Sequence, residues 1–158
     1  MGLPKILIEF KTLAETLIAR SERGIVAVIL KDNSNTTKTA VYTKESEIVK
    51  SHYTATNIAY LSLMFMGGPS KVIVERVQTS DDISDALERL KNKRWYYLAV
   101  PGLGDGETDT VVEYMKEQRT QYHKTFKAVL PSTVADNEGI INFATDNVKV
   151  GAKTYTTA

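Results

Sequence analysis

The chain has 158 residues, enough for one ordinary domain with a sizeable core, and 42% of them are hydrophobic. Its 20 basic and 19 acidic residues are well mixed and leave a net charge of +1, so no whole-chain field favours nucleic acid or an anionic membrane. The absence of cysteine removes disulfides, thiolate nucleophiles and cysteine metal sites, and the longest apolar run, residues 58–66, is far below the roughly 20 residues of a membrane span. Lack of cysteine suits a reducing cytoplasm without requiring one. The start, Met1-Gly2-Leu3-Pro4, lacks the basic opening and apolar middle of a signal peptide, so export by that route is not expected.

Residues 5–11, KILIEFK, place Ile6, Ile8 and Phe10 on one face of an extended segment, with Lys5, Glu9 and Lys11 near or opposite them. This is the period-2 pattern of a half-buried strand. A lone terminal strand needs a partner, and we read it as an arm offered to another chain. The competing readings are an edge strand of the chain's own sheet or a helix starting near Lys11, since residues 12–19 carry Leu13, Leu17 and Ile18 at helical spacing. Residues 24–30, GIVAVIL, are apolar on both faces, as in a strand covered on each side. The polar turn KDNSNTTK at 31–38 then leads to a strand at 39–43, which the short connection predicts to pair with 25–30 as an antiparallel hairpin.

After residue 55 helical and strand patterns alternate, which argues an α/β fold. Thr56 and Asn57 can cap a helix over 58–66, stopped by Gly67-Gly68-Pro69, and KVIVERV at 71–77 reads as a strand. Ile83, Ala86, Leu87 and Leu90 define the next helix, with Thr79 or Ser80 as cap and Asp81 and Asp82 in the first turn, where the macrodipole favours them. An aromatic-rich strand follows at 95–100. A helix opening at Thr108 or Asp109 carries Val111, Met115 and Tyr122, and a strand at 126–130 ends before Pro131. Parallel neighbours are the default for this βαβαβ order. Short β elements are expected at 139–143 and 147–150, with Gly151-Ala152 turning the chain into 153–157. The predicted core is Val26, Val28, Ile73, Leu98 and Val129, each within an apolar run bounded by turn signals.

Candidate chemistry is sparse. Gly102, Gly104 and Gly106 sit between a strand and a helix, where α/β folds place phosphate-binding amides. The run lacks both the dinucleotide spacing and a P-loop Lys-Ser/Thr, and Asp105, Glu107 and Asp109 would repel phosphate. These acids also depart from the EF-hand spacing. His52 and His123 belong to no metal-binding spacing, and no serine stands in a GxSxG elbow. Lys91, Lys93 and Arg94 beside Trp95, Tyr96 and Tyr97 combine charge with rings, but helix capping and core packing account for both. No catalytic, cofactor or metal residue is assigned.

Three segments carry a family resemblance. Residues 10–16, FKTLAET, with Arg20-Ser21 and then RGIVAVILKD at 23–32, resemble the start of contractile tail sheath proteins of bacteriophages and prophage-like particles of Gram-positive bacteria. RWYYLAVP at 94–101 and NVKVGAKTYTTA at 147–158 fit the same family. Family sheaths are several hundred residues long, so the resemblance implies an amino-terminal portion or a shortened relative. It further implies an α/β fold with a mainly parallel sheet, an extended N-terminal arm and short β elements near the C-terminus. The corresponding division is an arm and linker over 1–20, a sheath-like domain over 21–146 and a β segment over 147–158.

The implied function is mechanical: copies assemble as a helical sleeve of stacked six-subunit rings around an inner tube, and the sleeve's contraction drives ejection. The implied partners are other copies, the tail tube protein, and baseplate and tail-terminator proteins, without direct nucleic-acid contact or membrane insertion. The implied place is a virion tail or tail-like particle assembled in the bacterial cytoplasm, with no cofactor. Ile6, Ile8 and Phe10 would then form the subunit-linking arm, adding a strand to a neighbour's sheet. The alternative is a small α/β ligand-binding or regulatory domain using the Gly102–Asp109 loop.

Overall fold

The computed structural model describes residues 24–104, 106–144 and 148–155. The expected arm with Ile6, Ile8 and Phe10, the 12–19 pattern and Asp105 lie outside the described residues. The elements are β1 (Ile25–Lys31), β2 (Thr39–Tyr42), α1 (Ala55–Met66), β3 (Lys71–Val77), α2 (Ser84–Lys91), β4 (Tyr97–Ala99), α3 (Glu107–Tyr122), β5 (Lys127–Pro131), β6 (Ile140–Phe143), β7 (Val148–Val150) and β8 (Lys153–Tyr155). Six strands form one sheet in the order β2-β3-β1-β4-β5-β6, parallel except for β2. Strands β7 and β8 form a separate antiparallel pair.

The apolar character of β1 on both faces explains its central place. Val28 stands between Val74 of β3 and Ala99 of β4. Ala27 and Ile29 face α2 and α3 in one core, with Ile73, Leu98, Ala128 and Leu130. Val28 and Leu30 face α1 in the other, with Val72, Val74, Tyr42 and Leu61. Both clusters exclude water from long aliphatic side chains, the main favourable term in folding.

The expected β1–β2 hairpin is not formed. Strand β2 pairs antiparallel with β3, Tyr42 opposite Val72, because β1 has both edges taken by parallel neighbours and the partly exposed β2 suits an edge. Helix α1 begins three residues before the predicted start and is capped by Thr54, whose side chain accepts the Asn57 N–H at 3.4 Å. Helix α2 begins at Ser84, since Asp82 holds the Ser84 N–H in a side-chain turn at 2.7 Å, so Asp81 and Asp82 precede the first turn. Helix α3 opens at Glu107, and β4 shrinks to three residues because Trp95 turns inward to stack on Phe126 at 3.8 Å. Strand β6 joins the main sheet as a parallel edge beside β5 after a connection without a helix.

Two of the five predicted core residues are not buried. Val28, Ile73 and Leu98 are, but Val129 is 38% exposed and Val26 only partly covered. Both point to the face that carries α1, and α1 packs over β3 and β1 rather than over β4, β5 and β6.

Candidate assembly surface

The glycine loop is closed by its own helix. Gly106 takes φ 83° as the residue before α3, a left-handed conformation that favours glycine. The Glu107 carboxylate accepts the Gly104 N–H at 2.5 Å and pairs with Lys31 at 2.7 Å, joining the loop to the end of β1. An anion here would have to displace a carboxylate from the amide and the cation it would need. Asp109 is exposed in the same first turn. Among the described residues no group of three or more His, Asp or Glu side chains is placed to hold a metal.

Beside this loop, Asp32 follows β1 with a buried carboxylate that accepts hydrogen bonds from the N–H groups of Ser34 and Thr54, both at 2.8 Å, and from Asn57 Nδ2 at 2.7 Å. Burial opposes its ionisation, yet the hydrogen bonds from Asn57, Thr54 and Ser34 outweigh burial and hold the carboxyl well below the usual range. Arg76 is also buried. Its guanidinium donates to the carbonyls of Asn35, Thr37 and His52 and lies 4.5 Å from the Tyr53 ring centre. These groups tie the long 31–38 turn and the segment before α1 to the sheet.

A charged cluster with no signal in the sequence joins β3 to α2 and the segment after it. Glu75, fully buried on β3, accepts from Arg89 Nε at 2.7 Å and Thr39 Oγ1 at 2.8 Å and pairs with Lys93. Lys93 is thereby engaged. Lys91 pairs with Glu88 at 3.6 Å, Arg94 donates to Tyr96 Oη, and the Trp95 indole donates to the Leu90 carbonyl at 3.1 Å. The basic and aromatic stretch is thus bound up with α2 and the lower core. His123 ends α3 in a left-handed conformation, and the His52 carbonyl serves Arg76.

The surfaces left for other molecules lie on the sheet itself. Among the described residues, β2 and β6 have free edges. On the α1 face, register places Ala99, Val129 and Ile141 in one row across β4, β5 and β6, and Pro131 beside Phe143 in the next. Tyr97 is 42%, Ile141 39% and Phe143 49% exposed. A parallel sheet is ordinarily covered on both faces, so this apolar surface is the unusual feature of the described fold.

No family model matches the chain. It is 38% identical over 169 aligned residues to the tail sheath protein of Clostridium phage phiCD119, an alignment that takes in 99% of this chain and 46% of that protein. The chain therefore spans less than half the length of this curated relative. Its fold matches the sheath tail protein of Listeria innocua at a TM-score of 0.69 and 14% identity, covering 98% of this chain and 58% of that one. It also matches the sheath tail protein of Desulfitobacterium hafniense at 0.66 and 15% identity, covering 87% and 56%. The resemblance carried by residues 10–32, 94–101 and 147–158 thus extends along the chain.

Proposed function

We propose that this chain, a relative of phage tail sheath proteins, is a structural subunit of a contractile tail sheath. The observation that carries the reading is the 38% identity along 99% of the chain to a phage tail sheath protein. In this reading copies assemble as six-subunit rings stacked into a helical sleeve around an inner tube, held at its ends by baseplate and tail-terminator proteins. Contraction relaxes a metastable lattice by burying more intersubunit surface and drives ejection without nucleotide hydrolysis. Assembly takes place in the bacterial host cytoplasm and the product resides in a virion tail or a tail-like particle.

The linking element is residues 5–11. Extended, they offer main-chain donors and acceptors to a free sheet edge of a neighbour, while Ile6, Ile8 and Phe10 enter apolar pockets on one side of it. The role is mechanical, with no catalytic residue and no cofactor. A ligand-binding domain using Gly102–Asp109 is disfavoured by Glu107, which already holds the Gly104 amide and Lys31.

Electron microscopy of the purified chain, alone and joined to the part of the Clostridium phage relative outside the alignment, tests the reading. Rings or tubes support it. Monodisperse monomers in both cases overturn it.

A further inference from the structure

We propose that the acidic hollow between α2 and α3 of one copy of this chain receives the basic end of the same two helices from a second copy, in a head-to-tail contact. The inference rests on the reading that copies of the chain assemble, and it assigns two described surfaces of the helix layer to that assembly. Helices α2 and α3 share one core cluster on the same face of the sheet. Ser84 and Thr110 line the hollow together, while Lys91 lies 5.4 Å from the Tyr122 ring centre, so the two helices run in the same direction and end side by side. Charge is sorted along them.

The hollow encloses about 400 Å³ and is bordered by Glu88, Glu113 and Glu117, with no lysine or arginine among the described residues that line it. Tyr114 also lines it, is only 9% exposed, and has a buried hydroxyl without a hydrogen-bond partner among the described residues. Buried polar groups ordinarily find a partner, so this hydroxyl points to a group that another molecule supplies. Burial, and then the charges of Glu88 and Glu117, hold the phenol protonated. Its oxygen can accept an N–H while the three carboxylates balance a positive charge, which is the chemistry of a lysine or arginine head.

The same chain carries such heads at the other end of the helices. Lys91, Lys93, Arg94, His123 and Lys124 border a cleft of about 480 Å³ that no Asp or Glu lines among the described residues. Lys93 shares the Glu75 carboxylate with Arg89. Lys124 donates to the Lys91 carbonyl at 2.5 Å and stands 5.7 Å from the Tyr122 ring centre, so among the described residues its charge meets no carboxylate. Glu88 and Lys91 pair at 3.6 Å across the border between the two patches, an exposed contact of small worth. Glu113 stands about 14 Å from the end of α3 at Tyr122, beyond the roughly 8 Å over which exposed charges act at physiological salt. The patches therefore do not neutralise each other within one chain. A contact between two unlike patches cannot close as a two-fold pair and propagates instead into a ring or a helix.

Two double variants test the contact: Glu113→Gln with Glu117→Gln in the hollow, and Arg94→Gln with Lys124→Gln at the basic end. In sedimentation velocity at low salt the unaltered chain should form oligomers that separate in about 1 M salt, where the screening length falls to about 3 Å. Each double variant should stay monomeric by itself and folded by circular dichroism. An equimolar mixture of the two should form 1:1 dimers, since each retains the surface that the other has lost. Tyr114→Phe should weaken association several-fold without lowering the melting temperature, because it removes only an unpartnered hydroxyl. Tyr114→Phe and the hollow variant decide the matter even where Lys124 proves necessary for folding. Oligomers of the hollow variant equal to wild type would overturn the proposal, as would a mixture of folded variants that stays monomeric, which would leave the hollow to a basic partner of another kind. A wild-type chain that is monomeric at millimolar concentration and low salt would also overturn it, while the sheath reading would still stand or fall on tube formation by the fusion with the relative.

Discussion

Asn57 Nδ2 donates to the Asp32 carboxylate at 2.7 Å and to the Lys31 carbonyl at 3.0 Å, joining the first turn of α1 to the end of β1. The same Asp32 carboxylate takes the Thr54 N–H just before the helix. One buried acid therefore sets where the long connection after β2 returns to the sheet.

A carboxyl held below its unfolded value of about 3.9 favours the folded state above that pH, and its contribution is lost as pH falls through the folded value. Asp32→Ala should lower stability by about 2 to 3 kcal/mol at pH 7, because three donors lose their acceptor. Urea titrations should show the gap between wild type and variant narrowing from about pH 4 towards pH 2. A gap that holds constant over that range contradicts the role of the ionised carboxylate.

Glu75 supplies a sharper contrast. Removing its carboxylate leaves Arg89 and Lys93 without their buried partner, so Glu75→Ala should cost about 3 to 5 kcal/mol. Glu88→Ala on the exposed side of α2 should change stability by less than about 1 kcal/mol. Equal effects in chemical denaturation would show that the buried cluster has no special part in stability.

Leu98 is fully buried in the α2–α3 core, and Leu98→Ala should cost about 2 to 5 kcal/mol. Val41→Ala at the exposed edge of β2 should stay within about half a kcal/mol. Comparable denaturation midpoints for the two variants would remove Leu98 from the core.

These sites show what the amino-acid sequence makes legible. Residues 25–30 announced a strand covered on both faces because every position is apolar, and β1 indeed lies at the centre of the sheet. The run KVIVERV likewise announced β3 but not the burial of Glu75 and Arg76, whose partners are Arg89 and Lys93 in one case and the carbonyls of Asn35, Thr37 and His52 in the other. Val129 is exposed within an apolar run because such a run says that a strand can be covered, not that a layer lies on each face. The β1–β2 hairpin failed for a related reason: sequence proximity favoured it, whereas competition for the edges of β1 is decided by strands further along the chain. The resemblance to tail sheath proteins was legible in the order of three segments. The linking role proposed for Ile6, Ile8 and Phe10 rests on their alternation in the sequence and on that resemblance.

The glycine loop should respond to geometry rather than to ligands. Gly106→Ala should cost about 1 to 2 kcal/mol, because a side chain disfavours the left-handed conformation. Millimolar ATP, NAD or calcium should leave the melting temperature unchanged, whereas a bound ligand would raise it by mass action. A saturable rise abolished by loop mutation would restore the ligand-binding alternative.

The most direct measurement counts ordered tubes by electron microscopy for the chain joined to the remainder of its phage relative, with and without residues 1–11. The intact fusion should form tubes, and the truncated one should remain folded by circular dichroism but form none; Ile8→Pro should behave like the truncation, since proline removes a ladder donor. Tubes formed equally well without residues 1–11 would contradict the linking role of Ile6, Ile8 and Phe10, and the absence of any ordered assembly from the folded intact fusion would contradict the sheath reading itself.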